Sequence, residues 1–287
     1  MLLEIDNLTK KYECFTLDHV SFSLEKGYIM GFIGKNGAGK TTTLKCMIHL
    51  ASPDSGHVKT LDMDFAENEL ACKQNIGFVL GAADYYLNRK LSTIADVTRR
   101  FYSDWDEAMY RDYLNRFDLV ETKRVKDLSA GMKVKFSLAL ALSHHAKLLI
   151  LDEPTSGLDP VSRDDLLELF QEIVEDGEHS ILFSTHITSD LEKCADFITY
   201  IHDGRILASE EKDIFTDRYR LVSGSRDSLT DDMKKKLIGC REHHFGIEGM
   251  IHKEDLALCD GLEVKTPTLE EIMIHIERKD KKEGVTE

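Results

Sequence analysis

A chain of 287 residues, 42% of them hydrophobic, is long enough to bury a sizeable core, either as one large domain with an appendage or as two smaller domains. Its formal net charge of −15 argues against sequence-independent nucleic-acid binding and against adhesion to anionic lipid, since both use basic patches. Six cysteines without a C-x-x-C pair suggest neither a disulfide framework nor a zinc cage and fit a reducing cytosol.

In chain order, the opening MLLEIDNLTKKYE places Glu4, Asp6 and Lys10 where a signal peptide needs an unbroken apolar core, so export is not expected. Residues 2–8 and 28–33 have β character and lead into Gly34-Lys35-Asn36-Gly37-Ala38-Gly39-Lys40-Thr41, which fits G-x-x-x-x-G-K-[ST] between an apolar strand and a helix-like run, TTTLKCMIHL. The chemistry explains the pattern. Glycines let the backbone wrap phosphates, while the N–H groups and the helix N-terminus supply a positive field. Lys40 is expected to reach the β- and γ-phosphates of ATP, Thr41 to ligate Mg²⁺ through its hydroxyl, and Thr42 to complete the nucleotide-binding set.

Further strands are expected at 76–80, 148–151 and 180–184. Between 92 and 128 the sequence turns polar and helical, which predicts an inserted helical subdomain covering about 85–145. The strand LLIL ends in Asp152 and Glu153, an arrangement in which the first carboxylate holds Mg²⁺ through water and the second faces the attacking water. Alone this is weak evidence, because many strands end in acids. Strands punctuated by helices imply a layered α/β domain with a mainly parallel sheet, here a P-loop ATPase core over 1–215. Residues 216–287 read as a small α/β accessory domain. It has strand candidates RYRLVSG and EGMIH, an amphipathic helix over 269–276 and a frayed charged tail, KDKKEGVTE. Its His243, His244 and His252 lack a recognisable ligand spacing, and no metal beyond Mg²⁺ is expected. No apolar stretch approaches the roughly 20 residues that cross a bilayer, so the chain is not expected to insert directly.

The acid pair continues as PTSGLDP with Asp159. His186 ends the strand SILFSTH, and Leu128-Ser129-Ala130-Gly131-Met132 precedes the helical KVKFSLALAL. Together these make the chain resemble the ABC ATPase family. The resemblance implies that Glu153 is the catalytic base, that His186 touches the γ-phosphate, and that Asp159 links two protomers. Ser129, Ala130 and Gly131 correspond to the signature that closes over ATP on the opposite protomer. Tyr12, in LTKKY, corresponds to the aromatic that stacks on adenine, with an ordinary strand-edge tyrosine as the alternative. The implied assembly is a homodimer, or a heterodimer with a second ATPase subunit, docked on separate transmembrane permease subunits at the cytoplasmic face of the membrane. Within the family, the sequence resembles ATP-binding subunits of Gram-positive peptide or antibiotic-resistance exporters of the Ytr-like and phenol-soluble-modulin-exporting types.

Two departures stand out. After the strand at 76–80 the family usually has a glutamine that contacts Mg²⁺ and water, whereas this chain has Gly81, with Asp84 as the next polar candidate. The signature reads SAGMK, in which Ala130 and Met132 replace the usual glycine and glutamine, and slow turnover or a looser closed dimer is expected. The rival readings are a soluble ABC ATPase acting on ribosomes or DNA and a regulatory module that binds nucleotide without turnover. The chain has neither the paired ATPase units nor the long coiled coil of the first, and retains the Glu153 and His186 that the second could lose.

Overall fold

The computed structural model describes residues 1–80, 86–225, 230–243 and 246–283. The chain forms two compact units, Met1–Ser209 and Glu210–Glu287.

The first unit contains two sheets. β1 (Leu3–Tyr12) and β2 (Phe15–Leu24) form a hairpin through a two-residue turn, and β4 (Ser55–Thr60) and β5 (Met63–Asp64) complete the order β2-β1-β4-β5. β1 is antiparallel to both β2 and β4. The outer half of β2 buries every second residue, as expected when only one face meets the core. This sheet is an addition to the mainly parallel layer that the sequence implied.

The second sheet has the order β10-β9-β3-β8-β7-β6. Its strands are β3 (Ile29–Ile33), β6 (Ile76–Leu80), β7 (Leu148–Asp152), β8 (Ser180–Thr185), β9 (Phe197–His202) and β10 (Arg205–Glu211). From β6 to β9 all neighbours are parallel. Every residue of β3, β7 and β8 is buried, which is the pattern of a parallel sheet covered on both faces. α1 (Lys40–Met47) packs on β7, while α6 (Pro160–Val174) and α7 (Thr188–Cys194) pack on β3. Register places Ile33 beside Thr185 and Asp152 beside Ser184. The carboxyl ends of β3, β7 and β8 therefore share one edge, and the loops that leave them meet there.

Between β6 and β7 the chain forms α3 (Leu91–Thr98), α4 (Glu107–Arg116) and α5 (Ala130–Leu142), following α2 (Glu69–Gln74) just before β6. Side chains cap two of them: Asp106 accepts from Met109 N at 2.9 Å and Ser129 from Met132 N at 3.2 Å, which satisfies first-turn donors. α4 packs on α5, and α5 on β6. Just beyond α5, the His144 ring lies face to face on Tyr102 with centroids 3.6 Å apart. Its Nδ1 is 3.2 Å from Gln74 O.

The second unit is built on an antiparallel sheet in the order β12-β13-β11-β14, from β11 (Tyr219–Gly224), β12 (Ile238–His243), β13 (Gly246–His252) and β14 (Glu263–Lys265). Its helices are α8 (Lys212–Asp217), α9 (Asp231–Lys236) and α10 (Leu269–Glu283). Val222, Met233, Ile251 and Cys259 form a separate core. α10 packs on β12 and buries His275, whose Nδ1 lies 3.0 Å from Gly239 O. α10 runs to Glu283, into the charged segment that the sequence reading treated as frayed. Among the described residues no helix is long and apolar enough to cross a membrane.

Burial lowers the His144 imidazole from 6.5 to about 4. Between those values the unfolded chain carries a proton that the native chain does not. This contribution to stability is therefore complete above about pH 6.5 and is lost as pH falls toward 4. Measured by urea unfolding, the stability of the wild type relative to His144→Asn should fall by about 2 kcal/mol between pH 7 and pH 5. A constant difference across that range would mean that His144 is not held neutral.

Candidate functional site

The site begins where β3 ends. The loop over 34–39 delivers the chain to α1, whose first residue is Lys40. Glycine is required here on steric grounds. Gly39 has φ +114, and a Cβ on it would lie 2.9 Å from Phe15 Cζ. A Cβ on Gly34 would lie 2.4 Å from Ile201 O. The turn between β9 and β10 braces the loop from outside. Gly204 N donates to Ala38 O at 2.9 Å, and Lys35 Nζ pairs with Asp203 at 2.9 Å. The hydrogen bond from Lys35 holds the Asp203 carboxyl below its ordinary value.

Lys40 is only 6% exposed. Its ammonium donates to Gly34 O at 2.7 Å and lies 3.5 Å from Glu153 Oε1. At the end of β7, Asp152 is held from two sides: Thr41 Oγ1 donates to its Oδ2 at 2.9 Å and Ser184 Oγ to its Oδ1 at 2.6 Å. Glu153 N in turn reaches Ser184 O at 3.1 Å and Ser184 Oγ at 3.0 Å. Glu153 has φ +52, a left-handed conformation that costs a non-glycine residue about 1–3 kcal/mol and is typical of functional sites. Its Oε2 lies 2.8 Å from His186 Nδ1. One carboxylate thus meets a cation from the phosphate loop and an imidazole from the end of β8.

These groups open onto a cleft of about 490 Å³ lined by Phe15, Asn36, Gly37, Gly39, Lys40, Thr41, Thr42, Glu153, Ser156 and His186. Of the other residues singled out in the sequence, Gly34, Lys35 and Ala38 complete the loop, and Asp152 lies behind it. Tyr12 is not among the lining residues. It stands directly opposite Phe15 in the hairpin, with 50% of its surface exposed, so the two rings are on the same face with Phe15 innermost. Asp159 caps α6: its Oδ1 accepts from Val161 N and Ser162 N, each at 3.1 Å, and its Oδ2 from Ser162 Oγ at 2.6 Å. The Ser162 hydroxyl keeps its carboxyl below the ordinary value. Ser129, Ala130 and Gly131 begin α5 away from this cleft. A Cβ on Gly131 would meet Ser162 Cβ at 3.6 Å and Leu158 at 3.7 Å, ordinary contacts, so nothing among the described residues demands glycine there. Gly81 and Asp84 lie outside the described residues.

Phe15, Ser156 and Ser184 were not foreseen from the sequence. Ser184 had a readable signal, because a hydroxyl within the fully buried strand SILFST must find a partner. The side-by-side Thr41 hydroxyl and Asp152 carboxylate are hard oxygen donors at the loop mouth and fit the needs of Mg²⁺.

Parallel strands that bring a phosphate loop and an acidic strand end to the same edge of a sheet define the P-loop class of nucleotide-binding domain. Residues 17–156 match the family model described as ABC transporter. The chain is 31% identical over 228 residues to the ABC transporter ATP-binding protein YtrB of Bacillus subtilis (strain 168), covering 79% of this chain and 78% of that protein. It is 30% identical over 259 residues to the bacitracin transport ATP-binding protein BcrA of Bacillus licheniformis, covering 89% and 83%. A solved ATP-binding subunit of an ABC transporter superposes with a TM-score of 0.67 at 29% identity, covering 75% of this chain and 91% of that one. The chain belongs to the ABC transporter ATP-binding family and is an ATPase of that family.

Ser184 orients Asp152 without lining the cleft, so Ser184→Ala should raise the Mg²⁺ concentration needed for half-maximal ATPase activity by about tenfold, the low end for loss of a group that orients a ligand. An unchanged Mg²⁺ requirement in a titration at saturating ATP would remove Ser184 from the site.

Proposed function

We propose that this chain hydrolyses MgATP to drive an exporter of peptides, toxins or antibiotics whose membrane-spanning subunits are separate polypeptides, and that it works at the cytoplasmic face as a homodimer or with a second ATPase subunit. The observation that carries the reading is Glu153, held at the cleft edge between the Lys40 ammonium and the His186 ring. Similarity to a bacitracin transport ATP-binding protein supports the cargo class.

In this reading the N–H groups of the loop over 34–39 cradle the phosphates of ATP, and Lys40 turns from Gly34 O toward the β/γ-phosphate oxygens. Thr41 and Asp152 would hold Mg²⁺, which supplies positive charge against the negative charge that develops during phosphoryl transfer. Glu153 then accepts a proton from the attacking water, and His186 orients Glu153 and approaches the γ-phosphate. Adenine would stack on Phe15, which lines the cleft, with Tyr12 as the outer part of the same aromatic face. Ser129, Ala130 and Gly131 would face ATP held by the opposite protomer. The ordinary contacts that a Cβ on Gly131 would make among the described residues support this, because ATP held against that position by another protomer would give glycine a use there. Asp159 joins the same surface through the start of α6.

Glu153→Gln keeps the shape and removes the base, so it should retain ATP binding, lose turnover by at least a hundredfold, and accumulate as a dimer in MgATP on size exclusion. Monomers only, with the partner ATPase supplied, would overturn the composite site. For the aromatic face, Phe15→Ala should raise the KM for ATP by about tenfold with kcat little changed, since stacking on a base is worth about 1–3 kcal/mol. Tyr12→Ala should do the same to a smaller degree. A larger effect at Tyr12 than at Phe15 would reverse their assigned order.

A further inference from the structure

One buried carboxylate close to the site is absent from the mechanism above. Asp190, in the first turn of α7, is 1% exposed. Thr155, fully buried in the loop that follows Glu153, donates from Oγ1 to Asp190 Oδ2 at 2.6 Å. The other oxygen, Oδ1, faces Arg163 Nε of α6 at 3.8 Å, and that Nε is itself buried with no hydrogen-bond partner among the described residues. Three segments therefore converge on one carboxylate: the loop carrying Glu153, the helix that begins at Asp159, and the helix that begins just after His186. Neither Asp190 nor Thr155 lines the cleft.

A buried carboxylate with no role would be replaced at little cost by an apolar side chain, since burial disfavours the charged form. Burial does raise the Asp190 carboxyl from its ordinary value, against the Thr155 hydrogen bond and the Arg163 charge, which lower it. What the arrangement supplies is geometry. Glu153 and Thr155 are two residues apart and share a short loop, and His186 and Asp190 are four apart across the start of α7. The 2.6 Å bond between Thr155 and Asp190 closes a small ring of chain, and the 2.8 Å contact between Glu153 and His186 lies on its opposite side. If the Thr155–Asp190 bond is removed, the strained Glu153 backbone and the His186 ring are free to drift apart.

We infer that Asp190 is a positioning residue: through Thr155 and Arg163 it holds Glu153 and His186 at hydrogen-bond distance and ties that pair to the helix bearing Asp159. The inference rests on the proposed ATPase mechanism. It places the effect of Asp190 in the hydrolytic step and not in nucleotide binding, because the phosphate loop and Lys40 are on other segments.

The test uses the full-length chain and MgATP. Thr155→Val removes the donor at constant volume, Thr155→Ser keeps the hydroxyl, and Asp190→Asn keeps the shape while removing the charge that faces Arg163. Thr155→Val and Asp190→Asn should each lower kcat by at least tenfold with the KM for ATP changed less than twofold, and Thr155→Ser should restore kcat to near the wild-type value. The double variant Thr155→Val/Asp190→Asn should be no slower than the slower single variant, because the two residues act through one contact. Equal losses in Thr155→Ser and Thr155→Val, or a rise in KM that matches the fall in kcat, would overturn positioning in favour of plain destabilisation. Wild-type kcat in both Thr155→Val and Asp190→Asn, beside an inactive Glu153→Gln, would overturn this inference and leave the ATPase mechanism standing. A wild-type chain without turnover even with the partner ATPase supplied would overturn the mechanism itself.

Discussion

A lysine ammonium buried to 6% exposure is the constraint from which the rest of the site follows. A charge taken out of water costs several kcal/mol unless oxygen atoms surround it, and Lys40 finds them in the Gly34 carbonyl and the Glu153 carboxylate. Gly34 can curl its carbonyl inward because no side chain blocks its approach to Ile201. Glu153 can reach because β7 ends beside β8 and its backbone takes an unusual left-handed turn. The phosphate loop, the acidic strand end and the histidine are thus mutually required. The loop needs a cation to hold phosphates, the buried cation needs a carboxylate, and that carboxylate needs an orienting partner on the next strand.

The two adjacent acids are held in different ways. Asp152 receives two hydrogen bonds from hydroxyls that are fixed by secondary structure, which sets the orientation of its carboxyl group, the condition for holding a divalent cation. Glu153 touches the Lys40 ammonium and the His186 imidazole, both of which would exchange partners on phosphate entry in the proposed mechanism, as a proton acceptor requires. Neighbours in sequence therefore receive separate tasks because one ends a strand and the other begins a strained turn. Asp190 extends the same logic one layer outward, where a buried carboxylate controls a distance instead of meeting a ligand.

The second unit has its own sheet and its own apolar cluster, with side chains packed on both faces of a short antiparallel sheet. Its helix α10 is anchored by His275, whose ring meets backbone carbonyl oxygens at Ile238 and Gly239. Such a histidine is explained by packing and backbone satisfaction alone.

The sequence by itself determined the class of the fold and the glycine loop at one edge of its sheet. Gly34 to Thr41 can be read from local pattern, a glycine loop between strand and helix, whereas the parts expected of Glu153 and His186 came from the family resemblance, because many strands end in polar residues. Runs such as LLIL and SILFST read directly as buried parallel strands because such strands tolerate no alternation. Only the tertiary structure decided which aromatic meets the cleft: the sequence pointed to Tyr12, but Phe15, its partner across the hairpin, lies against Gly39 and lines the cleft. The partner of the buried Ser184 hydroxyl, Asp152, and the partner of Asp190, Thr155, were likewise decided only by the tertiary structure. Those contacts join residues 32 and 35 positions apart, and no local pattern records which buried hydroxyl a distant carboxylate will meet. Local pattern encodes what a segment can do, whereas the pairing of segments across a sheet decides what it touches.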